Sequence, residues 1–214
     1  MYFLNKLLVL FLVLFSLVIH SENSDIFKKS NLSVVAILGE NSIGSGVIIS
    51  EDGYILTNWH VIENEKDFKV LTLGLGGYEE NLRDAEVIKY SITSDLALIK
   101  LKSFPQDMQI ARLSQVIPKV GDSVHAIGHP HGEIWSYSKG YISAHREDYS
   151  WDIGDQNHRG DVYQMQTPIN PGNSGGPLLN DFGNVVGINT FINPRGQGIT
   201  YAVTVKEIMR FLTS

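Results

Sequence analysis

The sequence has no cysteine among its 214 residues. This absence excludes disulfide bonds, thiolate metal sites, catalytic thiols and lipid attachment at cysteine. It leaves the cellular compartment open, because a sufficiently large core is stable without disulfides. Basic residues are also scarce: 17 lysines and arginines stand against 23 acidic residues, a formal net charge of −6. A broad basic surface for nucleic acid or anionic membrane is therefore not expected.

Charged residues make up only 19% of the chain, whereas hydrophobic residues make up 43%. That balance favours one or two compact domains over a disordered chain. Low-complexity tracts and short-period repeats are absent from the sequence as well. The function must therefore be sought in individual motifs.

The one long hydrophobic run lies at the N-terminus. Lys6 precedes an apolar and small-residue stretch over residues 7–19, and a polar stretch follows. One positive charge, a short apolar core and a polar exit are typical of a secretory signal peptide, and the run is short for a membrane span. We expect residues 1–21 to be a signal peptide and the protein to be periplasmic or secreted. The alternative is a membrane anchor formed by residues 7–19, which Lys28 and Lys29 favour.

From about Leu32 onward, short β-type runs alternate with glycine-rich and polar turns. Many short strands at close spacing predict an all-β barrel or sandwich. The runs fall into two groups of six, which predicts two similar antiparallel barrels over about 32–102 and 120–204. The predicted strands are Val34–Leu38, Gly46–Ser50, Tyr54–Thr57, Phe68–Leu73, Ala85–Tyr90, Leu96–Leu101, Ser123–Ile127, Ser136–Ala144, Val162–Gln166, Pro177–Leu179, Val185–Thr190 and Ile199–Val203.

The C-terminus alone has a helical pattern. Thr204, with Glu207 three residues later, forms a capping-box sequence. Apolar residues then recur at helical spacing, at Val205, Ile208, Met209 and Leu212. By contrast, the stretch Glu147–Asp161 is rich in Asp, Gly, Asn and His, and we expect a long loop there. Such a loop is either functional or merely solvated.

The segment Asn170–Gly176 sets Ser174 in a glycine-rich turn. A serine hydroxyl becomes a nucleophile when a base takes its proton and backbone N–H groups stabilise the resulting oxyanion. The base in turn needs an orienting carboxylate. His60 directly follows one predicted strand and Asp95 directly precedes another, so both can project into a cleft. Each residue alone has an ordinary structural explanation, but the three together indicate nucleophilic catalysis.

These motifs resemble the protease domain of HtrA/Deg-type serine proteases, a branch of the chymotrypsin-like peptidases. The resemblance runs from about Leu32 to Leu212 and implies two six-stranded barrels with the active site between them. The segments that carry it are Gly44–Ile49, Thr57–Val61, Ser94–Leu98, Gly128–Gly132, Asn170–Leu178 and Gly187–Thr190.

The resemblance implies a role for each candidate residue. Ser174 would be the nucleophile, His60 the general base and acid, and Asp95 the group that orients His60. The oxyanion hole would come from the backbone N–H groups of Gly172 and Ser174, with Asn173 as a further contributor. The chemistry would proceed through an acyl-enzyme on polypeptide substrates, including unfolded proteins. No cofactor, metal or nucleic acid is implied.

Two positions near Ser174 refine the expected specificity. Digestive and clotting enzymes carry an aspartate directly before the serine, which pairs with a freshly cleaved N-terminus; Asn173 stands there, so we expect no such zymogen switch. Pro168 stands where an acidic residue would select Lys or Arg. We therefore expect a small or medium aliphatic residue on the N-terminal side of the cleaved bond. The expected pocket residues are Pro168, Ile188, Asn189, Thr190 and Ala202.

The family's usual features do not all transfer. HtrA-type proteins generally continue into PDZ domains, and the chain ends about 40 residues after Ser174, so we expect no PDZ-mediated activation. A homo-oligomer is possible, since the family often forms trimers. Histidines at positions 125, 129, 131 and 145 lack matched carboxylates, and we expect no metal site. Two rival functions stay open: a non-catalytic, chaperone-like binding module on the same fold, and an esterase that uses the same three residues.

Overall fold

The computed structural model describes residues 22–40, 42–74, 77–105, 108–130, 133–192 and 198–214. The expected signal peptide, residues 1–21, lies outside this part of the chain and stays a prediction. Among the helices in the described ranges, none has the length and apolar character needed to cross a membrane. The first described element is helix α1, Glu22–Ser30, and a single 3-10 turn, Asn31–Ser33, leads from it into the first barrel.

Six antiparallel strands close the first barrel in the order β1-β2-β3-β6-β5-β4. β-Branched and leucine side chains dominate the strands and point into the core, where Val35, Ile37, Ile48, Ile55 and Ile99 are fully or almost fully buried. The elements are β1 Val34–Leu38, β2 Ile43–Ile48, β3 Tyr54–Thr57, β4 Lys69–Leu71, the short helix α2 Tyr78–Asn81, β5 Leu82–Ser91 and β6 Leu96–Leu101.

The second barrel repeats this pattern, with six antiparallel strands in the order β10-β11-β12-β9-β8-β7. Its core contains Val124, Ile142, Tyr163, Met165 and Leu178. Helix α3 follows the last strand. The elements are β7 Ser123–Gly128, β8 Ser136–Ile153, β9 Gln156–Met165, β10 Pro177–Leu179, β11 Val185–Ile192, β12 Thr200–Thr204 and α3 Val205–Thr213.

The predicted fold class is confirmed: the described chain is almost entirely β, with two six-stranded antiparallel barrels and a C-terminal helix. The predicted start of that helix is also correct, since the Thr204 hydroxyl accepts the Glu207 N–H at 3.2 Å. The Glu207 carboxylate is engaged elsewhere, with Arg210 at 2.6 Å.

The expectation of a loop over Glu147–Asp161 was wrong. These residues extend β8 and β9 into one long hairpin, which pairs as far as Ile153 and Gln156. A bulge near Asp148, whose φ is +51°, bends the hairpin, and Gly154 at φ +57° lies in its turn. Strand pairing with the rest of the barrel ends before the bulge, so the tip projects beyond the barrel.

A shared hydrophobic cluster joins the two barrels. Val34, Leu56 and Leu96 from the first barrel pack in one cluster with Ile127 and Ile188 from the second. The barrels are therefore held at a fixed separation. This contact surface places the end of β3 and the start of β6 opposite the turn that leads into β10.

Candidate active site

The first barrel brings His60 and Asp95 together through strand pairing. His60 lies shortly after β3 and Asp95 immediately before β6, and these strands are antiparallel neighbours with Thr57 opposite Ala97. The end of one strand is therefore adjacent to the start of the other. Residues 35 positions apart in the sequence become hydrogen-bonded neighbours for this reason.

The Asp95 carboxylate accepts three hydrogen bonds. His60 donates to it twice, from its backbone N–H at 3.0 Å and from ring Nδ1 at 2.8 Å. The Thr190 hydroxyl donates the third, at 2.6 Å. Asp95 has no exposed surface, whereas the His60 side chain is 16% exposed. Since a carboxylate only accepts, Nδ1 carries the ring proton and Nε2 is left as a potential acceptor.

The backbone at Asp95 is strained. Its φ is +52°, in the left-handed region that costs a non-glycine residue about 1 kcal/mol or more. Two hydrogen bonds hold this geometry: the Asp95 N–H donates to the Ile92 carbonyl at 3.2 Å, and Asn58 Nδ2 donates to the Asp95 carbonyl at 2.8 Å. Strain of this kind persists where the surroundings fix the conformation, often at functional sites.

The turn that carries Ser174 requires its glycines. Gly172 has φ +105° and Gly175 has φ +83°. A Cβ at Gly172 would lie 2.2 Å from the His129 carbonyl oxygen, and one at Gly175 would lie 2.2 Å from the Ser45 carbonyl oxygen. Both the dihedral angle and the available space therefore exclude a side chain at these two positions.

Hydrogen bonds from the first barrel fix the same turn. The Ser45 N–H donates to the Ser174 carbonyl at 2.8 Å, and the Ser45 hydroxyl donates to the Gly172 carbonyl at 2.7 Å. The Asn173 N–H donates to the Asn170 carbonyl at 3.0 Å. Of the three N–H groups expected to line an oxyanion hole, that of Asn173 is thus already engaged within the turn.

The Ser174 hydroxyl donates to the Thr190 carbonyl at 3.0 Å. Thr190 therefore contacts two of the candidate residues, Ser174 through its carbonyl and Asp95 through its hydroxyl. The sequence predicted Thr190 as a pocket wall and missed this role. Its position directly after Asn189, in a segment that resembles the family pattern, was the available signal.

The five expected pocket residues have different surroundings. Ile188 lies in the core between the barrels, and Ala202 lies in the core of the second barrel. Asn189 is also fully buried, and its side chain donates to the Pro177 carbonyl at 3.1 Å. Pro168 is exposed, and Thr190 faces Asp95. The substrate pocket stays a prediction.

The histidines in the second barrel have separate partners. His125 lies between the Tyr137 hydroxyl at 2.7 Å and the Asp181 carboxylate at 2.8 Å, and His145 packs edge-on against Tyr163. His131 lies outside the described residues. Within the described part of the chain, no group of histidine and carboxylate side chains has the geometry of a metal site.

His129 lies beside the Ser174 turn. Its backbone contacts Gly172, and its ring Nδ1 accepts the Trp135 N–H at 3.1 Å. The side chain is completely buried. Burial lowers the pKa of His129 to about 4, although a polar contact with the backbone of Val35 opposes part of the shift. The ring is therefore neutral at physiological pH.

Most of this chain is similar in sequence to known proteins. The profile of the family described as "Trypsin-like peptidase domain" matches residues 44–188. The serine endoprotease DegS of Haemophilus influenzae is 38% identical over 84% of this chain and 52% of its own length. A probable periplasmic DegP-like serine endoprotease of Pseudomonas fluorescens is 38% identical over 78% of this chain and 34% of its own. The chain thus spans about half or less of these relatives.

Solved structures show the same fold. The serine endoprotease from Yersinia pestis superposes with a TM-score of 0.73 at 29% identity, covering 89% of this chain and 65% of that one. A protease of M. tuberculosis in its active form gives a TM-score of 0.79 at 22% identity, covering 90% and 84%. The chain belongs to the trypsin-like peptidase family, and its relatives there are HtrA/Deg-type serine proteases.

Proposed function

We propose that the chain is a serine endopeptidase in which Ser174, His60 and Asp95 form the catalytic triad. The observation that carries the proposal is the hydrogen-bonded path from the Thr190 hydroxyl through buried Asp95 to His60 Nδ1. It leaves His60 Nε2 as the acceptor for a proton. A binding module does not need a buried carboxylate that orients a single imidazole ring.

The reaction begins when Ser174 exchanges its hydrogen bond to the Thr190 carbonyl for one to His60 Nε2. His60 takes the hydroxyl proton as Oγ attacks the peptide carbonyl carbon, and Asp95 stabilises the imidazolium. The peptide C–N bond breaks when His60 returns that proton to the leaving amine. Water then attacks the acyl-enzyme with His60 again as base, which releases the acid and restores Ser174.

The oxyanion of each tetrahedral intermediate would lie against the N–H groups of Gly172 and Ser174. Ser45 holds this turn at two points, because its hydroxyl donates to the Gly172 carbonyl and its N–H donates to the Ser174 carbonyl. In comparable sites, the loss of one such donor costs roughly 2.7–4 kcal/mol of transition-state stabilisation. Asn173 contributes through the conformation of the turn, since its N–H bonds to Asn170.

The substrates that we propose are polypeptides, including unfolded proteins, cleaved after small or medium aliphatic residues. Pro168 supports this preference because it puts no acidic group where a basic side chain would need one. Export to the periplasm or beyond is supported by the N-terminal sequence and by relatives named as periplasmic. Homo-oligomer formation is part of the same proposal.

The proposal is tested by labelling with a fluorophosphonate probe and by digestion of unfolded casein. Wild type should take up the probe and fragment casein, and Ser174→Ala should do neither. Labelling without fragmentation of casein, but with hydrolysis of a nitrophenyl ester, would favour the esterase. Equal casein fragmentation by both proteins would overturn the proposal. Cuts mainly after Lys or Arg would overturn the stated preference alone.

A further inference from the structure

The tip of the β8–β9 hairpin, residues 149–160, extends from the second barrel and contacts the first. At the contact, the Arg159 N–H donates to the Thr93 carbonyl at 2.6 Å, and ring Nδ1 of His158 lies 2.6 Å from the Ile92 carbonyl. Gln156 Nε2 also donates to the Glu63 carboxylate. Three contacts thus join the hairpin to the turns that carry Asp95 and His60.

The contact at Ile92 fixes a tautomer. A carbonyl only accepts, so His158 must hold its proton on Nδ1 and donate it. The Ile92 carbonyl therefore has two donors, the His158 ring and the backbone N–H of Asp95. The second of these bonds closes the turn in which Asp95 takes its positive φ. His158 thus bonds to the same oxygen that holds the strained backbone of Asp95.

The His158 ring is itself held rigidly. It has no exposed surface and stacks on Trp151, with ring centroids 5.7 Å apart. Trp151 stacks in turn on Phe191 at 5.1 Å, and Phe191 on Tyr201 at 4.4 Å. Phe191 directly follows Thr190 in β11, so one aromatic stack connects the hairpin to the strand that contacts Ser174 and Asp95.

We propose that the hairpin tip holds the active site in register across the two barrels, and that His158 is its principal positioning residue. It acts through the Ile92 carbonyl on the Asp95 turn and never touches substrate. The inference rests on the proposed function, because it assigns His158 to the orientation of Asp95 and His60. The bond from His158 to the Ile92 carbonyl matters because the backbone of Asp95 is strained. If the turn loosened, Asp95 would relax out of its left-handed conformation.

A matched pair of substitutions separates the bond from the packing. His158→Phe keeps an aromatic ring against Trp151 and removes the donor, whereas His158→Asn keeps an N–H donor near Nδ1 and removes the ring. We expect His158→Phe to slow fluorophosphonate labelling and kcat about tenfold at unchanged KM, as small misplacements of catalytic groups do. His158→Asn should recover most of that loss. Asn157→Ala, at an exposed neighbour on the same strand, should match wild type.

Two readouts distinguish positioning from general destabilisation. In His158→Phe the acid limb of the kcat/KM profile should move to lower pH, because a displaced Asp95 stabilises the His60 imidazolium less. In a Ser174→Ala background, the NMR resonance of the His60 Nδ1 proton should broaden when His158→Phe is added. The NMR readout does not require enzymatic activity. It therefore tests the role of the hairpin even if the wild-type protein neither takes up the probe nor cleaves casein, a result that would overturn the proposed function.

Wild-type labelling and an unchanged Nδ1 resonance in His158→Phe would overturn the proposal. Equal losses in His158→Phe and His158→Asn would overturn it too, because packing alone would then explain the effect. If His158→Phe does not fold, Gln156→Ala serves in its place, since Gln156 holds the turn after His60 through Glu63. Gln156→Ala should slow labelling about threefold, and full wild-type labelling in that variant would count against the hairpin's role.

Discussion

The buried, neutral His129 should make the protein lose stability as the pH falls from 6.5 towards 4. Burial lowers its pKa from the ordinary 6.5 to about 4 in the folded chain. Between pH 4 and pH 6.5, His129 binds a proton in the unfolded chain but stays mostly neutral in the folded chain. The free energy of unfolding therefore rises with pH over this range. The contribution is fully present above pH 6.5. Protonation in the folded state would also set an N–H on Nδ1 against the Trp135 N–H that now donates to it.

The magnitude follows from the size of the depression. At pH 4 the unfolded imidazole is almost fully protonated and the folded one about half protonated, which corresponds to a loss of about 3 kcal/mol relative to pH 7.5. The substitution that isolates this loss is His129→Asn, because the Asn Oδ1 can accept the Trp135 N–H and cannot titrate. Carboxylates with lowered pKa values, such as Asp161, contribute equally to both proteins.

The assay is urea unfolding between pH 4 and 7.5, carried out in a Ser174→Ala background to prevent self-cleavage. We expect the free energy of unfolding of the His129 protein to fall about 3 kcal/mol further over this range than that of His129→Asn. Parallel curves would refute the reasoning, since His129 would then titrate alike in both states.

Three further predictions concern the hydrogen bonds and space around Ser174. Thr190→Val removes a donor from the buried Asp95 carboxylate and should lower the free energy of unfolding by about 2 kcal/mol. Thr190→Ser keeps the hydroxyl and should retain most of this stability. Equal urea midpoints for the two variants would contradict the prediction. Ser45→Ala removes the donor to the Gly172 carbonyl and should lower the free energy of unfolding by about 1 kcal/mol. In steady-state assays, the fractional decrease in kcat should be larger than the fractional change in KM. An unchanged kcat would count against this prediction. Gly175→Ala forces a Cβ against the Ser45 carbonyl at a positive φ and should lower the free energy of unfolding by about 2–4 kcal/mol. Thermal unfolding measures this loss, and an unchanged midpoint would contradict the prediction.

The barrels could be predicted from the sequence because their strands are short, β-branched and separated by glycine turns. Strands such as Tyr54–Thr57 and Leu96–Leu101 match their predicted bounds. The β8–β9 hairpin could not be predicted from the sequence, because its polar composition resembles that of a loop. Its stability comes from Tyr149, Trp151 and Ile153, which alternate along the strand, and from aromatic stacking on Phe191 that only the fold creates.

The site divides in the same way. Local motifs around His60, Asp95 and Ser174 predict which residues carry chemistry, since each motif is contiguous. The substrate pocket stays a prediction, because it depends on which way β11 and β12 turn their side chains, and Ile188 and Ala202 lie in core clusters. A strand's two faces differ by one residue in register, so the family pattern alone does not choose between them. The second contact of Thr190 likewise depends on the approach of the two barrels.

The central claim is that Ser174 is the nucleophile and His60 its base. Its most direct test is peptide mass mapping of the fluorophosphonate adduct on wild type and on His60→Ala. The account predicts an adduct on Ser174 in wild type, and labelling slower by on the order of 10⁴-fold in His60→Ala. An adduct on another serine, or equal labelling of the two proteins, would contradict it.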